Sequence, residues 1–163
     1  MEKFNTLPED KKRDLIKKLE NISEVNIPDD ISKEKTLSWD EVKEMNENKI
    51  DFGAHTVNHP ILTKIPLEKA EYEILQSKKD IEKRLNKPIT TFCYPNGLAD
   101  DFNSDIIDLL KKNGFICAVT RIPTIITSKT NLYELGRIPP GWSYNSFKFY
   151  TSGMYSSFGN IFS

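Results

Sequence analysis

Apolar residues recur at three-to-four-residue spacing in several segments of the chain, which predicts amphipathic helices. The first covers residues 8–22, and a long one covers 66–86. Another helix begins at Ser38, because Ser38 and Glu41 form a capping box in which each side chain binds the other residue's backbone amide. A further helix starts at Asn103 or Ser104. The aromatic-rich C-terminal segment has large apolar residues at helical spacing, which are Phe147, Tyr150, Met154 and Phe158.

Short apolar runs separate these helices and predict buried strands at residues 50–55, 89–94 and 115–120, with a last short one at 135–138. Alternating helices and strands are typical of an α/β domain with parallel strands. In such folds the functional groups lie at the carboxyl ends of the strands. No internal repeat or Gly/Ser linker divides the chain. We therefore predict a single domain over residues 1–163, in which residues 1–36 form a helical lead-in and a loop.

Composition excludes several classes of function. The chain has 163 residues and a formal net charge of −1, which argues against non-specific binding of nucleic acid. No stretch approaches the roughly 20 apolar residues that span a bilayer. The N-terminus has no apolar leader, so we expect a cytoplasmic location by default. The two cysteines, Cys93 and Cys117, fit a reducing compartment, although a single bridge between them stays open.

Two histidines, His55 and His59, lie four residues apart at the end of the predicted strand 50–55. Two imidazoles at this spacing can bind one divalent metal ion if the backbone turns tightly between them. The zincin motif needs Glu directly after the first histidine, and here Thr56 stands there. Spacing alone leaves equally open that both histidines only satisfy hydrogen bonds of a local turn.

The segment Tyr94-Pro95-Asn96-Gly97 forms a second turn signal, at the end of the predicted strand 89–94. Such a turn presents backbone amides and the edge of Tyr94 at the rim where the histidines are expected. Taken alone, the same segment is typical of an ordinary strand-to-loop turn. The neighbouring Cys93 is, as a residue type, more often a small core residue than a ligand.

Three segments carry a resemblance to the polysaccharide deacetylases, the carbohydrate esterases that share the NodB-homology domain. They are residues 37–42, 53–62, which contain His-Thr-x-x-His-Pro, and 92–97, which contain Tyr-Pro-x-Gly. Shorter matches continue the resemblance at Glu73-Ile74, Ser77-Lys78, Leu85, Gly114-Phe115, Ala118-Val119, Leu135, Arg137-Ile138, Phe147 and Gly153. The resemblance is clearest over residues 37–155. It implies an irregular (β/α) barrel that removes N-acetyl, sometimes O-acetyl, groups from sugar polymers.

By this resemblance His55 and His59 are the metal ligands. The divalent metal is usually zinc, with cobalt or nickel accepted by relatives. Such a metal lowers the pKa of a bound water, so that hydroxide can attack the acetamide carbonyl. The resemblance makes the backbone amide of Asn96 the donor that stabilises the resulting oxyanion.

The resemblance also implies roles around that centre. Tyr94 and Pro95 belong to the substrate-binding turn and aim the amide. Arg137 matches a family arginine that lies near the active-site carboxylates.

Two family motifs are missing from the chain. The family's Thr-Phe-Asp-Asp segment, which ends the first strand and supplies the general base and the third metal ligand, has no counterpart here. Asp29-Asp30 follows Pro28 in a polar loop and is no substitute. The family's late Leu-x-His motif is also absent. We therefore expect an incomplete barrel that lacks its first strand or strands and leaves unpaired strand edges.

Two functions compete at this point. The first is a metal-dependent hydrolase that removes N-acetyl groups from a polysaccharide or cell-surface glycan, as a truncated or split form with weak or no activity alone. The second is a catalytically inactive remnant that binds glycan or a partner. Expected partners are a polysaccharide or oligosaccharide, and either a second copy of the chain or a complementing N-terminal half. A purely structural protein would leave the histidine motif unexplained.

Overall fold

The computed structural model describes residues 7, 9–23, 36–138 and 143–152. The following ranges are helices, strands and one-turn 3₁₀ helices in chain order: α1 Glu9–Ser23, α2 Trp39–Glu47, a 3₁₀ turn Leu62–Lys64, α3 Leu67–Leu85, β1 Thr91–Cys93, α4 Ser104–Lys112, β2 Cys117–Val119, a 3₁₀ turn Leu132–Glu134 and α5 Tyr144–Thr151. The predicted helices are found in nearly these positions. Met154, Phe158 and the Asp29-Asp30 pair lie outside the described residues.

Local chemistry explains why these helices begin and end where they do. The capping box at α2 is confirmed, because Glu41 N donates to Ser38 Oγ at 3.3 Å and Ser38 N donates to Glu41 Oε2 at 2.7 Å. Asn103 caps α4 by accepting a 3.1 Å hydrogen bond from Ile106 N. Asn86 ends α3 in the left-handed conformation, with φ of 48°.

The sheet is parallel, as predicted, but its strands are short. β1 pairs with β2 in a register that sets Phe92 opposite Ala118. The predicted strands at 50–55 and 135–138 appear only as single bridges, one of Ala54 to Phe92 and one of Leu135 to Val119. Within the described residues, segments that follow one another in sequence thus lie side by side, and the sheet does not close.

Core packing fixes β1 in place. Phe92 and Tyr94 are fully buried, with the Phe92 ring centroid 5.6 Å from that of Phe115 and the Tyr94 ring stacked on Phe102 at 4.3 Å. The buried apolar cluster around them also includes Ala54, Leu62, Ala70, Ile74, Ile89, Ile106, Leu110 and Ala118. The carboxyl end of β1 is therefore a rigid platform for the loops that follow the strands.

The apolar side of α1 is not covered by the described part of the chain. Its periodicity correctly predicted a helix, yet Leu19 is 62% exposed and Ile22 is 79% exposed. In α5, Phe147 is also exposed, at 48%. Among the described helices none is long and apolar enough to cross a membrane.

Candidate functional site

The first histidine is placed by the bridge next to it. Ala54 N donates to Thr91 O and Cys93 N donates to Ala54 O, both at 2.9 Å, so His55 leaves the sheet directly beside the end of β1. Its Nδ1 lies 2.7 Å from the carbonyl oxygen of Cys93. Because a carbonyl can only accept, Nδ1 carries the proton and the neutral ring keeps its lone pair on Nε2. This is the arrangement that metal-ligating histidines adopt.

The second histidine is brought back by a tight loop. Thr56 and His59 are both left-handed, with φ of 66° and 54°, and His59 N donates to Thr56 Oγ1 at 3.1 Å. The two imidazole rings meet edge to face, with centroids 4.8 Å apart and planes at 79°. The structure therefore brings together the two residues that the sequence singled out.

Two imidazoles alone do not complete a metal centre. In the described ranges, no group of three or more His, Cys, Asp or Glu side chains is arranged to hold a metal ion. A structural zinc site has four protein ligands, and a catalytic site has three. The donors present therefore fit part of a divalent-metal site and need a further ligand.

The Pro95–Gly97 turn ends β1 beside the histidines. Asn96 and Gly97 have φ of 57° and 73°, and a Cβ on Gly97 would lie 2.9 Å from Arg121 N, so this position requires glycine. No residue in the described ranges accepts a hydrogen bond from Asn96 N–H. The amide that the resemblance implies as oxyanion donor thus has no acceptor within the described residues.

The Tyr94 side chain corrects one expectation. Instead of presenting an edge at the rim, it is fully buried, and its hydroxyl donates to Tyr133 O at 2.9 Å. Burial, together with Glu134 and Tyr133, raises the pKa of this hydroxyl well above its ordinary value. Pro95 is buried as well. Both side chains lie on the interior side of the turn, and in this conformation neither side chain is exposed to a substrate.

Cys93 and Arg137 lie at the same site. Arg137 Nε donates to Thr120 O at 2.7 Å, and its charge acts on both His55 and Cys93. Burial raises the pKa of the Cys93 thiol, but its hydrogen bond with His55 and the charges of His55 and Arg137 outweigh burial and lower that pKa overall. Strand alternation could have located this thiol, since Phe92 and Tyr94 face the core and Cys93 must face the other side.

Glu73 is a residue whose part in the site the sequence reasoning missed. It lies on α3 and is 8% exposed. Its Oε2 accepts from Val57 N at 2.9 Å and from Asn58 N at 2.8 Å, and its Oε1 accepts from Asn58 Nδ2 at 2.7 Å. The available signal was an acidic residue between the core positions Ala70 and Ile74 of an amphipathic helix.

Comparisons with known proteins show which family the chain resembles. A family model described as polysaccharide deacetylase matches residues 17–118. The Bacillus subtilis (strain 168) protein YxkH, provisionally named a polysaccharide deacetylase, is 27% identical over 120 residues, which is 72% of this chain and 42% of YxkH.

Solved structures give the same result. The Streptococcus pyogenes deacetylase PplD, solved with acetate, has 26% identity and a TM-score of 0.63 over 71% of this chain and 50% of its own. The Bacillus cereus polysaccharide deacetylase BC0361 has 30% identity and a TM-score of 0.54 over 63% of this chain and 32% of its own. The chain spans half or less of the length of these relatives. Because the family model covers more than half of the chain, the protein belongs to the polysaccharide deacetylase family.

Proposed function

We propose that this chain carries the histidine pair and the oxyanion amide of a metal-dependent glycan deacetylase, which removes N-acetyl groups from a polysaccharide or cell-surface glycan. The observation that carries the proposal is the pairing of the two imidazoles, with centroids 4.8 Å apart and Nδ1 of His55 bound to the Cys93 carbonyl. With Nδ1 engaged in this way, Nε2 of His55 keeps the lone pair that a metal ion would need.

Each group would have one task. His55 and His59 would hold a divalent ion through ring nitrogens, with zinc as the first choice and cobalt or nickel as alternatives. The ion, when bound, supplies a Lewis acid that lowers the pKa of water. Asn96 N–H would donate to the oxygen of the acetamide as negative charge develops there, and loss of such a donor typically reduces kcat by about 10²–10³-fold. Arg137 would add positive charge beside His55.

The missing acidic group limits what the chain does alone. Two neutral imidazoles bring no negative charge to a divalent ion, and no third His, Cys, Asp or Glu side chain in the described ranges joins them in a metal-binding group. Loss of a positioned base typically costs about 10²–10⁴-fold in rate. We therefore propose weak or no hydrolysis until a further segment supplies the acidic ligand and base.

The unpaired sheet edge at His55 supports the proposal that a partner segment binds there. Ala54 directs both its N–H and its carbonyl toward β1, so the backbone groups of Gly53 and His55 point to the other side. In the part of the chain that the structure describes, these groups have no hydrogen-bond partner. An edge of this kind can pair with an added strand. The proposed occupant is a complementing N-terminal half or a second copy, and it would end next to the histidines.

Metal content tests the proposal. The purified chain, dialysed to equilibrium against buffer that contains zinc or cobalt, should bind the ion, and both His55→Ala and His59→Ala should lose this binding. Tyr72→Ala is the control, because Tyr72 is 59% exposed on α3 and should leave metal content unchanged. Unchanged metal stoichiometry in His55→Ala would remove the site.

A second candidate is an inactive binding protein of the same fold. The observation that favours it is the lack of a third ligand within the described ranges. Acetate release from N-acetylglucosamine oligomers, with zinc or cobalt supplied, separates the two candidates. Oligomer binding without acetate release would favour the binding protein.

A further inference from the structure

We propose that Glu73 is a positioning residue whose buried carboxylate sets the distance between the two histidine rings by clamping the loop that joins them. For its effect on metal binding, this inference rests on the proposed function. Its structural part, the control of ring placement, stands without any metal.

The clamp converges on the middle of the loop. Val57 N and Asn58 N, which are successive amides, both donate to the same oxygen, Glu73 Oε2, at 2.9 and 2.8 Å. Successive amides point in similar directions only where the backbone is curled around the acceptor. The third bond, from Asn58 Nδ2 to Glu73 Oε1 at 2.7 Å, holds the carboxylate plane against the loop.

The loop needs such a constraint. Its two ends, Thr56 and His59, are both non-glycine residues in the left-handed region, with φ of 66° and 54°. That conformation is unfavourable for residues with a Cβ and persists where surrounding contacts hold it. The hydrogen bond from His59 N to Thr56 Oγ1 is internal to the loop and does not connect it to the rest of the molecule. Glu73 provides that connection.

The carboxylate is itself anchored. Glu73 lies on α3 between Ala70 and Ile74, which are 0% and 1% exposed and belong to the central core. A buried carboxylate is stable when charge-assisted hydrogen bonds replace its water, and the three donors from the loop do so. Ring spacing is therefore fixed by the position of α3 on the sheet.

The hydrogen bond between Asn58 and Glu73 can be tested by exchanging its donor and its acceptor. Glu73→Gln keeps an oxygen for the two backbone amides but turns an NH₂ group toward the NH₂ group of Asn58, unless the Asn58 amide rotates. Asn58→Asp sets two carboxylates against each other. The double variant Glu73→Gln with Asn58→Asp restores one donor and one acceptor with the roles exchanged.

The first measurement uses the metal-free full chain with labelled histidines. Wild type should give NMR contacts between the two imidazole rings, and Glu73→Ala should lose them. Glu82→Ala is the matched control: Glu82 is on the same helix and also accepts a backbone hydrogen bond, from Ile89 N at 2.9 Å, but away from the loop. Ring contacts that persist in Glu73→Ala would overturn the inference.

The second measurement is Co²⁺ affinity, followed by visible absorption at a temperature where every variant is folded. Loss of an outer-shell partner typically weakens metal affinity by about 10–100-fold, so Glu73→Ala should fall by that amount and Glu82→Ala should not. Asn58→Asp should also bind weakly, and the double variant should recover most of the affinity. Equal losses in Glu73→Ala and Glu82→Ala would assign Glu73 to general stability and overturn the inference.

These readouts separate the two proposals. If wild type binds no Co²⁺, the proposed function fails, while the ring contacts still decide whether Glu73 positions the histidines. If Glu73→Ala does not fold, the comparison of Asn58→Asp with the double variant decides the matter, because rescue supports the clamp and absence of rescue contradicts it.

Discussion

The Nδ1 atom of His55 donates a 2.7 Å hydrogen bond to the carbonyl oxygen of Cys93. The acceptor belongs to the backbone of β1, whose position is set by the Phe92 and Tyr94 rings, which are both buried in the core. The orientation of the first imidazole is therefore a direct consequence of core packing. A substitution of the Cys93 side chain leaves this acceptor in place.

The Cys93 side chain should instead control the charge of His55 in the metal-free protein. Its hydrogen bond is the main reason that the pKa of His55 is raised above the ordinary 6.5, and burial opposes it only in part. We expect Cys93→Ala to lower the His55 pKa, as measured by an NMR titration of the ring. Cys117→Ala is the control and should change nothing. An unaltered His55 pKa in Cys93→Ala would contradict this account.

The sign of the accompanying stability change follows from linkage. A raised pKa means that the folded state binds a proton more tightly than the unfolded state. The contribution of His55 to the free energy of unfolding is fully present below pH 6.5, the pKa of the ring in the unfolded chain. This contribution is lost as the pH rises through the pKa of the ring in the folded chain. Urea unfolding of the metal-free chain, measured across this pH range, should show a decline in the free energy of unfolding. This decline should be smaller in Cys93→Ala.

Removal of the Tyr94 hydroxyl should lower stability without affecting the metal. Tyr94→Phe leaves Tyr133 O without its 2.9 Å donor in a partly buried place, which costs about 0.5–1.5 kcal/mol of unfolding free energy. Thermal unfolding measures this change. Tyr72→Phe, at a position that is 59% exposed, should have no effect. A fall in metal content with unchanged stability would show that Tyr94 acts at the site.

Gly97→Ala should be more damaging than Gly114→Ala. Both glycines are left-handed, with φ of 73° and 77°, so both variants share a conformational cost of about 1–2 kcal/mol. A Cβ on Gly97 also meets Arg121 N at 2.9 Å, whereas on Gly114 it meets only Lys78 Nζ at 3.9 Å. The difference in unfolding free energy isolates the steric contribution. Equal losses would mean that the turn relaxes at no cost.

The open edge should make the chain associate when it is produced alone. Size-exclusion chromatography should show oligomers, and a clean 18.8 kDa monomer would contradict the expectation. The exposed side of α1 is a competing cause, so Leu19→Glu, at a position that is 62% exposed, is the discriminating variant. Association that persists in this variant supports the strand edge, whereas its loss assigns association to α1.

The sequence predicted best those features of the fold that depend on residues close together in the chain. The capping box of Ser38 with Glu41 and the left-handed Asn86 each involve neighbouring residues, so their chemistry can be read directly. The histidine spacing was informative for the same reason, since the loop between the two rings is short. Whether these rings bind metal stays a prediction.

Contacts between distant segments were less accessible. An apolar run indicates burial but does not show which partner pairs with it, so the runs at 50–55 and 135–138 gave single bridges where strands were expected. Tyr94 is buried and Cys93 borders the site because of which side of β1 faces the helices. Glu73 was predicted only as one of the residues that carry the resemblance, and its contact with the loop was missed because its partners, Val57 and Asn58, come from a different element.

The order of the sheet has a consequence for how the chain is made. Within the described residues, Ala54 pairs with β1, β1 with β2, and β2 with Leu135, so each segment finds its neighbour in the next part of the chain to be synthesised. Non-local pairing slows folding, and this arrangement keeps such delays short. Assembly can proceed on the ribosome from one unit to the next, and within the described residues the Gly53 backbone stays unpaired when this assembly is finished.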